Sequence, residues 1–156
     1  MISFRNLQDI LQITMRWEKK LKDFYDVAEL AMRSDESKRV VALLKDRLSA
    51  KMDVLQNIDM KKFGTTEWIR YAPDYKDEDL IPIGAIQRES SPQELFTHLL
   101  GYEEKLQNVY TRIAETLITQ RQKELFESLA QFKGEQIEEI TRLMANYREN
   151  TGESGS

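Results

Sequence analysis

The chain has 156 residues, with 23 Lys plus Arg against 27 Asp plus Glu, a net charge of −4, no Cys and one His. That length suits one compact domain with its own core, and the composition excludes a disulfide framework, thiolate-held zinc or iron–sulfur sites, a Cys nucleophile and any mechanism needing two His. The mildly acidic balance lacks the basic footprint of a nucleic-acid binder, no apolar run reaches the roughly 18–20 residues of a membrane span, and the N-terminus has no signal-peptide pattern, so a cytoplasmic protein that binds neither nucleic acid nor membrane is expected.

Helical punctuation dominates. Ser3 or Asn6 can open a first helix, expected over about 6–33, whose apolar residues Ile10, Ile13, Trp17, Leu21, Phe24 and Ala28 recur at spacings of three and four. Ser34 and Asp35 break the chain with cap chemistry, and a second helix over about 36–60 follows through Val40, Val41, Leu44, Leu48, Met52 and Leu55. Gly64, after Lys61 and Lys62, reads as its stop. From about 65 to 90 no period persists, and the stretch reads as a long ordered crossover. Ser91, Pro92 and Glu94 form a capping box that opens a third helix, about 92–118, with Leu95, Leu99, Tyr102, Leu106, Val109, Tyr110 and Ile113 on its apolar face. Thr119 and Gln122 repeat the box before a fourth helix, about 121–149, through Leu125, Phe126, Leu129, Phe132, Gln136, Ile140 and Leu143. Residues 151–156 read as a flexible tail after a single domain over 1–150.

Two short links and one long connection predict two antiparallel helix hairpins joined by a crossover. A first helix of about 27 residues spans about 40 Å, and about 26 connecting residues reach that far at ~3.3 Å each. This is all-α, four-helix-bundle connectivity with one long crossover.

The halves also match each other. At a shift of 85 positions (103 − 18), Trp17 meets Tyr102, Glu18 meets Glu103, Lys20 meets Lys105, Leu21 meets Leu106, Tyr25 meets Tyr110, Leu44 meets Leu129 and Leu55 meets Ile140. Each half reads aromatic–Glu–x–Lys–Leu–x–x–apolar–Tyr, an internal repeat. Glu18, Leu21 and Tyr25 share a helical face, as do Glu103, Leu106 and Tyr110, and that face is apolar. Two carboxylates on core-facing stripes need a cation or donors between them.

These motifs, the two hairpins and the crossover resemble the rubrerythrin branch of the ferritin-like superfamily over residues 6–149. The resemblance implies a ferritin-like four-helix bundle in which each half supplies one Glu from its first helix and a Glu-x-x-His from its second, six side chains that hold two iron ions. It places Glu18 and Glu103 at the first-helix ligand positions and Tyr25 and Tyr110 beside the site. The Glu-x-x-His slots fall on Leu48 and Lys51 in one half and on Lys133 and Gln136 in the other, so four of six ligands are replaced. The expectation is a degenerate di-iron site in which Lys51 and Lys133 neutralise Glu18 and Glu103 without metal, the Tyr hydroxyls adding donors. If the register slips by one, Asp46, Asp53 and Glu135 are the nearest other carboxylates.

The function expected is a non-catalytic structural or interaction module with no cofactor, a homodimer by analogy with the superfamily, acting on an unidentified protein partner. The alternative is a metal-binding oxidoreductase or peroxide-reducing enzyme that takes iron or manganese on an altered ligand set including Glu18 and Glu103. Having no Cys, such an enzyme needs an external electron donor. His98 is expected at the bundle rim, Trp68, Tyr71 and Tyr75 as cover for the bundle or an interface, and Asp74, Asp77, Glu78 and Asp79 as a solvated turn that lacks the pattern of a calcium loop. The six Met read as core filler.

Overall fold

The computed structural model describes residues 3–5, 7–59, 69–71, 91–117 and 119–154. Its helices are α1 (Leu7–Ala31), α2 (Asp35–Gln56), α3 (Pro92–Thr116) and α4 (Gln120–Ser154). Helix α1 packs against α2 and α3 against α4. The two pairs join through α1 on α3 and α2 on α4, which makes a four-helix bundle.

The caps form as their chemistry dictates. Ser34 Oγ accepts the Ser37 N–H at 3.0 Å, and Ser91 Oγ accepts the Glu94 N–H at 3.2 Å. Thr119 Oγ1 accepts the Gln122 N–H at 3.2 Å while the Thr119 N–H reaches back to Gln122 Oε1 at 3.5 Å, a reciprocal box. Pro92 occupies the first turn of α3, where a missing N–H costs no intrahelical bond.

Three boundaries differ from the sequence reading. Helix α2 stops at Gln56: Asn57 donates the last i→i−4 backbone bond to the Asp53 carbonyl and adds its side-chain amide to the same oxygen at 2.9 Å, and the next N–H, of Ile58, shifts to an i→i−3 bond on Leu55. Gly64 lies outside the described residues. Helix α4 runs through Gly152 to Ser154, since one Gly costs only about 1 kcal/mol in a propagating helix. The third difference is at the N-terminal end, where Ser3 opens no helix: Ser3–Arg5 (β1) pairs antiparallel with Ile69–Tyr71 (β2), with Phe4 opposite Arg70, and β2 also meets α3. Strands of three residues joined across 64 positions carry no readable period. Asn6 and the rest of the crossover, including Trp68, Tyr75 and the acidic cluster 74–79, lie outside the described residues.

The core holds the apolar faces read from the sequence. Leu21, Tyr25, Leu48, Leu106, Tyr110 and Phe126 have no exposed surface, and each such aliphatic or aromatic side chain contributes about 1.5–3 kcal/mol through burial. Positions 85 apart are buried alike: Ile10 with Leu95, Trp17 with Tyr102, Val41 with Phe126, Leu44 with Leu129 and Leu55 with Ile140. At Gly134, a Cβ would come within 2.9 Å of Gln107 Nε2, the end of a flexible side chain that donates to the Ala130 carbonyl at 3.2 Å, so a larger residue there would displace that amide. No described helix is long and apolar enough to cross a membrane.

A buried carboxylate–lysine cluster as the candidate functional site

Glu18 on α1 and Glu103 on α3 are 2% and 0% exposed, because each lies on the stripe that carries Leu21 and Tyr25, or Leu106 and Tyr110, into the core. Lys133 on α4 is equally buried and reaches both. Its Nζ lies 2.5 Å from Glu18 Oε2 and 3.2 Å from Glu103 Oε2. The first contact is a hydrogen bond; the second is a close ion pair, and it is the only cation or donor near Glu103 Oε2 among the described residues.

The tyrosines cross between the helix pairs. Tyr25, on the helix of Glu18, donates to Glu103 Oε1 at 2.9 Å, and Tyr110, on the helix of Glu103, donates to Glu18 Oε1 at 2.6 Å. Each carboxylate thus has one oxygen on the other half's phenol and the other oxygen toward Lys133. Charge-assisted bonds of this kind are roughly twice as strong as neutral ones.

All four second-helix slots are in the interior or at its edge. Leu48, Lys133 and Gln136 have no exposed surface, and Lys51 is half-buried. Gln136 donates to the Leu44 carbonyl of α2 at 3.0 Å, its amide lies beside the Tyr25 hydroxyl, and its Oε1 has no partner among the described residues. Leu48, the counterpart of Lys133, fills its place with hydrocarbon. The alternative carboxylates Asp46, Asp53 and Glu135 are on the solvent face.

One expectation needs correction. Lys51 does not neutralise either carboxylate; its Nζ stands 5.3 Å from the centre of the Phe132 ring, a cation–π contact. Lys133 Nζ lies 5.4 Å from the same ring, so Phe132 is the residue the sequence reading left without a role here. Gln136, at the position matching Lys51 and the same roughly 60° round α4 from Lys133, is fully buried, so the period along the helix does not tell the two positions apart and the packing around each helix does.

With one Lys for two Glu, the cluster is one positive charge short. Burial raises the Glu103 carboxyl most, and the Glu18 charge adds to it, against the lowering pull of Lys133 and Tyr25; its pKa is raised to about 7. A proton on Glu103 makes the cluster neutral. Burial pulls the Lys133 ammonium down, but the Glu103 and Glu18 charges outweigh it and hold its pKa above the ordinary value. Burial, then the neighbouring Glu103 and Glu18 charges, push the Tyr25 phenol well up, so it stays a donor.

This donor set does not fit a pair of divalent metal ions. Two carboxylates, an amide and an aliphatic chain surround an ammonium that takes both the space and the charge. Among the described residues no group of three or more His, Asp or Glu side chains converges as metal ligands do. His98 lies elsewhere, its ring against those of Tyr102 and Phe24. No protein-family model, curated protein or solved structure matches the chain.

Proposed function

We propose that this chain is a non-catalytic, rubrerythrin-like member of the ferritin-like superfamily, formed from a duplicated helix hairpin. In this reading it has exchanged its di-iron centre for a buried ion-pair network and acts as a structural or interaction module. The observation that carries this reading is Lys133 Nζ between Glu18 Oε2 and Glu103 Oε2, where a bridging cation would otherwise stand. A tethered ammonium is a permanent cation. It repels Fe²⁺ and Mn²⁺, supplies no redox chemistry and opens no coordination position for peroxide. The crossed Tyr–Glu bonds then serve to hold two helix pairs in one register, a use for which buried polar groups are suited because every wrong register strands a charge.

Elemental analysis tests this reading, on untagged protein expressed with added iron and manganese and purified without chelator. Well under one ion per chain is expected. One or two ions per chain, lost on Glu18→Ala, would move the oxidoreductase reading to the front.

A further inference from the structure

The four large apolar side chains that stand out on the described surface, Val27, Leu30, Leu43 and Val54, all belong to the first helix pair; Leu30 is 85% exposed and Val54 63%. The residues 85 positions further on are Arg112, Glu115, Ser128 and Glu139, which are polar. At these four positions one half of the scaffold is therefore polar outside where the other is apolar.

The asymmetry is sharpest on α2. At 100° per residue, Leu43, Ala50 and Val54 fall within about 40° of one another. That arc lies about 130° round the helix from the centre of the buried stripe of Val41, Leu44, Leu48 and Leu55, on the part of the solvent-facing side nearer Val40 and Lys51. Arg39 and Asp46 flank the ridge on one side, and Glu36 and Arg47 border it toward the other. All four are exposed, and none makes an ion pair among the described residues. By contrast Lys45, on the side facing α1, is held by Asp26 and Glu29 at 3.1 and 2.6 Å.

We propose that this outer ridge of α2 docks on the same ridge of a second copy of the chain, the two α2 helices running antiparallel with the two-fold axis at Leu43. The charge pattern selects a second copy as occupant. With residue 43 on the axis, Arg39 comes within one residue of the level of Asp46 of the second copy, and Glu36 within about one turn of Arg47 of the second copy. The two-fold repeats each pair, so four ion pairs of correct sign enclose a Leu43–Leu43 contact, the isologous arrangement of a closed dimer. Val54 then falls level with residue 32 of the second copy, at the α1–α2 link next to exposed Leu30. The proposal deepens the interaction-module reading but stands on the outside of α2. A metal-free monomer would sink it and leave that reading intact, and an iron-loaded dimer of this geometry would do the reverse.

Sedimentation equilibrium and light scattering on the full chain across the micromolar range supply the test. A dimer is expected for the wild type and a monomer for Leu43→Glu. Arg39→Asp sets like charges opposite one another at two places and should weaken the dimer at least about tenfold. The double exchange Arg39→Asp with Asp46→Arg restores opposite signs and should recover it. Circular dichroism confirms that each variant remains helical, which is expected for surface positions. A wild type that stays monomeric, a dimer that survives Leu43→Glu, or a double exchange that stays as weak as the single one would each overturn the proposal.

Discussion

Replacing Lys133 by Met keeps the length and volume of the side chain and removes its charge. Glu18 Oε2 then loses its only hydrogen bond in the cluster, and both carboxylates lose the cation at 2.5 and 3.2 Å. Breaking a buried ion pair from one side costs about 3–5 kcal/mol. Protonation sets a ceiling. A carboxyl with an ordinary value of 4.5, forced to be neutral at about pH 7, costs roughly 2.5 pH units at 1.36 kcal/mol each, about 3 kcal/mol. Glu103 adds little, because its pKa is already raised to about 7. The expected loss is therefore about 3 kcal/mol near pH 7. At about pH 5.5 the same ceiling is about 1.4 kcal/mol, so the penalty should fall by about half or more. Urea unfolding followed by circular dichroism at both pH values measures it, with an unchanged m value as the check on two-state behaviour. A loss below about 1 kcal/mol near pH 7, or a penalty that ignores pH, would refute the assignment of Lys133 as the counter-ion of the core.

Glu103 carries a folded-state pKa above its unfolded one, so its contribution is fully present below about 4.5 and is lost as pH rises through about 7. Glu103→Gln, a neutral isostere, should abolish that part of the decline in stability between about pH 4.5 and 7 and be least costly, or stabilising, at about pH 8. A variant with the wild-type pH profile would place the titrating group elsewhere. Tyr110→Phe and Tyr25→Phe each remove one phenol donor from a buried carboxylate and should each destabilise by about 1.5–3 kcal/mol in urea unfolding at about pH 8. Loss from only one of the two would break the crossed arrangement as an energetic fact.

Much of the bundle is local chemistry, which is why the sequence reveals it. Ser34, Ser91 and Thr119 cap the helices they open, since a side-chain oxygen three residues ahead of an orphan N–H needs no tertiary information. The apolar periods of Leu21, Leu44, Leu106 and Phe126 choose the buried faces, and the shift of 85 places Glu18 and Glu103 on those faces. The burial of Leu48, Lys133 and Gln136 follows from the same register. What sequence leaves open is any pairing between elements distant along the chain. The β1–β2 ladder joins three-residue segments through backbone bonds that any side chains permit. Lys51 and Lys133 look alike in the sequence as lysines on the second helix of each pair, yet Lys51 is half-buried over the Phe132 ring and Lys133 is fully buried against both carboxylates. The exchange of tyrosines across the halves, Tyr25 to Glu103 and Tyr110 to Glu18, is likewise set by how α1 and α3 pack. By itself, then, the sequence determined which residues are helical, which faces are buried and that two carboxylates go inside. Only the tertiary structure decided that a single ammonium answers both of them, because the reach of one side chain across a core depends on the distance and rotation between helices rather than on the period within any one of them.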